Sequence, residues 1–575
     1  MSSRTQTSAL VAIVALLLVT AEARSQGVIM VPADQPTITA AIAAALPGTT
    51  ILVAPGIYSE QIDFLGLDLV LAATGGPDVT FIEPATPFPY PPQPNVIFQG
   101  GETRAAVLEG FTIRFANAGA AGPRIGGGIH IQGASPTIRD CHVLANAGSD
   151  GGSGPGDRSG GAGGIQINQG APLIEGCRFE DNIGGQGGYG PVATSVTDTW
   201  FGGAGAIGID RSAPGIVEVR RCRLEMNFGG NSVLPASGIT VGPSPTLRAG
   251  GTGGLAMRGT TQLALSDTLV ARNSGGHAGT LFSTIGGPRG TGGLLLLDVV
   301  EARRLTVAEN HAGTFPLTPI GGEVGGIAWL LAGTAPLESS IVWNNVGSFG
   351  GPANFGLIVP PIHSSIIQGG APSGTNNLAA DPQFLAPATG DFHLQPSSPA
   401  IDSGLSTGTS PFERDADGRP RITGAGIDRG ALELDKNAGT GLDFRMGSAV
   451  NGGGDPGFPI KAALPGDIVG VTFFSPGGTF DFGVPALLGQ VFPTGMPPLS
   501  PSNLPDLNVN LPGVVVVFDG NAFGPAALPP GGMSFSFVLP GALSGFTARL
   551  QALVFDGSAP NGFFVTSDAV DFIVP

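Results

Sequence analysis

Lysine is almost missing from this chain, which carries only Lys436 and Lys461 beside its arginines and has a formal net charge of −17. A surface of that sign repels phosphate backbones, and the arginines are scattered, so nucleic acid is excluded as a partner. Charged residues make up only 12% of the chain, yet 42% hydrophobic content and a positive mean hydropathy argue against disorder. Three Trp and three Tyr leave few platforms for stacking sugars. Three cysteines, an odd count, raise a pairing question in an exported chain. Only one long apolar run exists, near the N-terminus, so no membrane span is expected in the mature protein.

That run belongs to an export signal. Arg4 supplies the positive flank, residues 9–19 the apolar stretch, and Ala21-Glu22-Ala23 a small-x-small cleavage site. The alternative is an uncleaved anchor. No cysteine stands beside the cleavage site, which disfavours a lipoprotein. The expected location is therefore secreted, extracellular or cell-surface.

What the chain has in abundance is glycine, 96 residues, with 51 prolines. They accompany an internal repeat, the signature of a rod that lengthens without thickening. A glycine-led strand recurs as GGGIHI (126–131), GAGGIQI (161–167), GAGAIGI (203–209), GTGGLAM (251–257), GTGGLLL (290–296) and EVGGIAW (323–329). Each is followed by a second unit, beginning with IRDCHVLAN (138–146) and ending with LESSIVWNN (337–345). Aligned on their last Asn, these units give inward columns. One is Ile138, Ile174, Val219, Leu265, Ala302 and Leu337; another is Val143, Phe179, Leu224, Val270, Val307 and Val342. A two-residue polar break, such as Arg139-Asp140 or Arg303-Arg304, marks a corner between strands. Each repeat is thus one coil, with like residues stacked about 4.8 Å apart.

The columns give the cysteines a structural role. Cys141, Cys177 and Cys222 share one inward column in successive coils, where buried free thiols are expected, a disulfide being the alternative. No His accompanies them at ligand spacing, so no metal is expected there. The closing asparagines, Asn146, Asn182, Asn227, Asn273, Asn310 and Asn345, are expected to form a ladder of stacked amides and to adopt the left-handed turn conformation. Glycine-rich excursions of variable length follow each Asn and should line one side of the rod, as binding loops or as plain linkers.

The segment PTITAAIAAALPGTTILVAPGIYSEQIDF (36–64) resembles the start of right-handed parallel β-helix proteins of the pectin lyase-like group. The repeats are similar to the GGAI and FxxN repeats of polymorphic outer membrane proteins, Gly163-Gly164-Ile165 with Phe179-Glu180-Asp181-Asn182 being the nearest match. The resemblance spans about residues 28–380. It implies an all-β, right-handed parallel β-helix whose open end is plugged by a short helix near residues 37–46. It does not imply one activity, because the fold hosts lyases, esterases, adhesins and inert fibres.

Four regions follow: a signal peptide (1–23), the β-helix (24–380), a closing or capping module (381–435) and a C-terminal antiparallel β-sandwich-like domain (436–575). The closing module rests on its DPxF, SPAID and DxDGxPR elements, which resemble those ending many bacterial secreted β-helix proteins. Its Asp402, Asp415, Asp417 and Asp428 are oxygen ligands suited in type to calcium, with Asp415 and Asp417 the candidates, but the acidic loop of a calcium hand is absent and turn formation is the favoured role. Otherwise no cofactor is expected. The C-terminal region carries short alternating runs, VVVVFD (514–519), SFSFVL (534–539) and TARLQALVFD (547–556), split by Pro and Gly.

An enzyme on this fold places polar residues on the outer face of a strand. Here one outward column reads His130, Gln166, Gly208, Ala256, Leu295 and Ala328; the next reads Gln132, Asn168, Asp210 and Arg258. The second is the candidate site, for binding an acidic sugar or, through Asp210 and Arg258, for catalysis. Esterase chemistry needs two carboxylates and an arginine, and lyase chemistry an acidic calcium-binding cluster, and neither set is complete. A solvated outer face is therefore the expectation for this column. The favoured function is a non-catalytic β-helix presenting loops for adhesion, surface structure or glycan binding, with polysaccharide or cell-surface partners. The alternative is a polysaccharide lyase or pectinesterase-like enzyme.

Overall fold

The computed structural model describes residues 27–574 apart from the segments 85–91, 120–123, 152–158, 188–199, 211–214, 232–247, 259–261, 278–289, 314–323, 331–334, 349–350, 357, 408, 411–412, 423–425, 435–443, 454–459, 477–478, 495–507, 510–513, 520–526, 531, 557–558 and 560–563. The expected signal peptide lies outside the described residues.

Three long parallel sheets run side by side. The first has eight strands, among them Ile129–Gln132, Ile165–Asn168, Ile207–Asp210 and Leu255–Arg258. The second has twelve, including Thr137–Arg139, Leu173–Glu175 and Ile216–Arg220, and the third ten, including His142–Leu144, Arg178–Glu180 and Arg223–Glu225. The chain visits the three in turn and returns one coil higher. That is a parallel β-helix.

Register follows the sequence columns. Ile138 pairs with Ile174, Ile174 with Val219, Val219 with Leu265, and Leu265 with Ala302. Their side chains are buried and belong to one apolar spine running from Val31 to Ile367. Each fully buried aliphatic side chain there contributes about 2 kcal/mol. At every polar break the second residue carries the bend, with φ of 50° at Asp140, 54° at Arg221, 49° at Asp267 and 53° at Arg304.

At the N-terminal end a short helix, Ile38–Ala44, lays Ile38, Ala41 and Ile42 onto the spine. Thr37 caps it through its hydroxyl, which accepts from the Ala40 N–H, and the Glu60 carboxylate accepts from the Ile38 and Thr39 N–H groups. The helix is shorter than the sequence suggests because Ala45 is already extended.

The segment 381–435 packs sideways on the outer face of the third sheet. There Leu269, Ala271, Ala308, Ile341 and Ile366 meet Phe384, Phe392, Leu394, Ala400, Ala431 and Leu432. Beyond it lie a three-stranded antiparallel sheet (Arg445–Val450, Ile468–Phe474, Met533–Val538) and a six-stranded sheet containing Val484–Pro493 and Phe546–Phe555. The second is antiparallel except where Ile460–Ala462 pairs with Val570–Val574. Phe473 of the one and Leu487, Val554 and Phe572 of the other share a single buried cluster.

Candidate functional site

The strands of the first sheet bring the predicted column together. Gln132 pairs in register with Asn168, Asn168 with Asp210, and Asp210 with Arg258. The expectation of a solvated face fails here, however. Only Gln132 is exposed; Asn168 and Arg258 are half-buried and Asp210 is 2% exposed.

What covers the column is backbone. Glycines stand at fixed offsets on the feet of each excursion, and their N–H groups zigzag from coil to coil. Gly185 donates to the Gly161 carbonyl at 2.9 Å, Gly203 to Gly185 at 2.7 Å, Gly230 to Gly203 at 2.9 Å, Gly251 to Gly230 at 2.7 Å and Gly276 to Gly251 at 2.8 Å. A Cβ on Gly203 would lie 1.8 Å from the Gly161 carbonyl oxygen, so no other residue fits. Under this layer Ala162 and Ala204 pack against Ala256 and Leu295, forming a small apolar cluster outside the main spine. The feet of the excursions are thus a close-packed wall, and their central parts lie outside the described residues.

The polar groups beneath the wall bond to one another, although Asp210 Oδ1 makes an ion pair and no hydrogen bond. Gln166 donates to Asp210 at 2.9 Å and to Asn168 at 3.0 Å, while its own carbonyl accepts from the Ala162 N–H. Asn168 donates to the Arg124 carbonyl, and the Arg124 guanidinium lies 3.4 Å from Asp210. Arg258 donates to the Gly202 carbonyl. Asp210 and Arg258 each serve this local packing. His130, at the start of the neighbouring column, is pushed down to a pKa of about 4 by burial and accepts from the Gly126 N–H.

The structural columns stand as follows. Cys141, Cys177 and Cys222 are buried free thiols. The asparagine amides run as a ladder, Asn146 donating to Asn182 at 3.0 Å, Asn182 to Asn227 at 2.9 Å, Asn227 to Asn273 at 3.0 Å, Asn273 to Asn310 and Asn310 to Asn345 at 2.9 Å. The left-handed residue is not the Asn itself but the one before it: Ala145, Asp181, Met226, Arg272, Glu309 and Asn344. The bend precedes the amide so that its side chain can turn inward, where all six are buried.

In the segment 381–435 the four aspartates hold turns and cations. Asp415 accepts from the N–H groups of Asp417, Arg419 and Glu433, and burial raises its pKa to about 6 despite them. Asp402 accepts from the Gly426 N–H, and Asp428 from those of Asp402 and Leu434. Asp417 is hydrogen-bonded to His393 and ion-paired with Arg223 on the third sheet. Among the described residues no three His, Cys, Asp or Glu side chains converge as a metal site.

Sequence reasoning missed a polar cleft of about 400 Å³ on the second sheet, where that face meets Glu413 and Arg414. Its signal was visible in the breaks, where acidic and basic residues pair in register, Glu109 with Arg139, Arg139 with Glu175, and Glu175 with Arg220.

No family model matches the chain, and none of the curated proteins compared with it does. Among solved structures, a point mutant of pectin methylesterase in complex with a hexasaccharide aligns with 65% of this chain and 99% of its own, at 13% identity and a TM-score of 0.25.

Proposed function

We propose that this chain, a parallel β-helix whose polar column is largely covered, is an exported, non-catalytic rod serving adhesion, surface structure or glycan binding. One observation carries the reading. The polar column best suited to catalysis lies under a glycine wall, with Asp210 committed to Gln166 and Arg124. A nucleophile or general base must reach substrate, and this carboxylate faces protein groups instead. Export is supported by the N-terminal charge, apolar stretch and small-x-small site. Among the described residues no helix is long and apolar enough to cross a membrane.

The test is incubation of the purified full chain with a panel of uronic-acid polysaccharides, with and without calcium. The expected result is binding or indifference without bond cleavage. Unsaturated product or released methanol overturns the reading, and loss of that turnover in Asp210→Asn would return the column to an active site.

A further inference from the structure

The cleft on the second sheet has the construction of a binding site. Two outward columns form its floor: Glu218, Ala264 and Glu301 in one, Glu175, Arg220, Ser266 and Arg303 in the next. Successive coils place these charged forks about 4.8 Å apart. The corner residues Arg221, Asp267 and Arg304 rise along one side, and Glu413 with Arg414 extends that side.

The lining is fixed before any ligand arrives. Arg304 grips Asp267 with two N–H groups, at 2.6 and 2.7 Å, and reaches Glu413 at 2.9 Å. Arg220 and Arg221 both lie against Glu175, at 2.9 and 3.1 Å. Arg303 lies against Glu301, whose Oε1 makes no hydrogen bond despite that contact.

The charge balance selects the ligand. Five arginines (220, 221, 303, 304 and 414) face five carboxylates (Glu175, Glu218, Asp267, Glu301 and Glu413), so the lining itself carries no formal net charge, with Arg104 pairing Glu218 from outside it. An anion or a cation gains little in such a field, since each attraction is met by a repulsion. A hydroxyl both donates and accepts, so adjacent hydroxyls can bridge a carboxylate and a guanidinium together. Among the described residues the lining is charged or polar apart from Ala264, so hydrogen bonds dominate what it offers. The volume lies within the range of small-molecule sites.

We propose that this cleft binds an uncharged polyhydroxylated ligand, a short stretch of neutral glycan, at the seam between the rod and segment 381–435. The assignment deepens the glycan-binding side of the function proposed above and rests on it only in requiring no turnover.

Calorimetry on the full mature chain tests it, with cellotriose, mannotriose and xylotriose as neutral probes. Trigalacturonate serves as the anionic probe and a chitosan trimer as the cationic one. At least one neutral trisaccharide is expected to bind, with an affinity that does not change between low and high salt. Glu301→Gln is expected to weaken binding about tenfold or more, the loss of a charged hydrogen bond. Ala264→Phe, which fills the floor without touching charge, should weaken it at least as much. If that variant fails to fold, Glu301→Gln decides alone. No neutral binding, tighter binding of a charged trimer, or unchanged affinity in the variants overturns the proposal. Cleavage of a bound probe would instead overturn the non-catalytic reading, and the variants would still decide the site.

Discussion

His393 Nε2 lies 2.7 Å from one oxygen of Asp417, and Arg223 of the third sheet holds the other oxygen at 2.8 Å. The opposite ring nitrogen meets Asp391 at 2.6 Å. This chain of charges ties segment 381–435 to the rod, and its pH dependence has a definite sign.

The hydrogen bond to Asp417 raises the His393 pKa above its ordinary value, with Asp391 adding to it; burial and Arg419 oppose. A raised histidine stabilises the fold below the unfolded value near 6.5 and loses that contribution as pH rises through the folded value. The melting temperature should therefore fall above pH 6.5, by an amount corresponding to about 1 kcal/mol. In His393→Gln the fall should vanish. A parallel profile in the variant would show that the contact contributes nothing.

His130 has the opposite sign. Its pKa is lowered to about 4 by burial, so the unfolded chain takes up a proton that the native fold refuses. Stability should decline as pH drops from 6.5 toward 4, by on the order of 3 kcal/mol at the lower limit. The imidazole resonances, followed by NMR, should titrate near pH 4. A midpoint near 6.5 would mean that the glycine wall does not close over this ring.

Asn227 sits mid-ladder, accepting from the Asn182 amide and backbone N–H and donating to Asn273. Asn227→Ala strips those partners inside the core. It should cost about 3 kcal/mol in denaturant unfolding, because buried donors are left unmatched. The loss should exceed that of any exposed polar substitution on the same coil.

Gly203→Ala places a Cβ 1.8 Å from the Gly161 carbonyl oxygen, and Gly251→Ala one 1.9 Å from the Gly203 oxygen. Either should destabilise by about 3 kcal/mol or more, since backbone on both sides must move. Gly351→Ala meets nothing within 4 Å and is the control, with no expected change in melting temperature.

The rod was legible in the sequence because inward side chains must repeat once per coil: Ile138, Ile174 and Val219 declare their register by hydrophobicity alone. The bend before each asparagine was not legible. Ala145, Asp181, Met226 and Arg272 share a backbone conformation and no side-chain chemistry. The buried outer face of the first sheet left a trace that could have been read, since Gly208 and Ala256 are smaller than a solvated surface requires. The apolar outward positions Leu269, Ala271 and Ala308 announced in the same way that something packs on the third sheet. The cleft escaped notice because its residues come from separate coils and from Glu413 and Arg414, distant in sequence.

The sideways docking of segment 381–435 reaches Arg223, Arg304, Thr306, Ser339 and Ser365 in turn. A splint with several fixed rivets sets the length of what it spans. Among the described residues no such rivet lies upstream of Arg223, and the shared cleft reaches back only to Glu175, so a turn added before that coil would leave every rivet in place. A turn inserted between rivets would instead shift every later one by a full step and break the match along the whole seam.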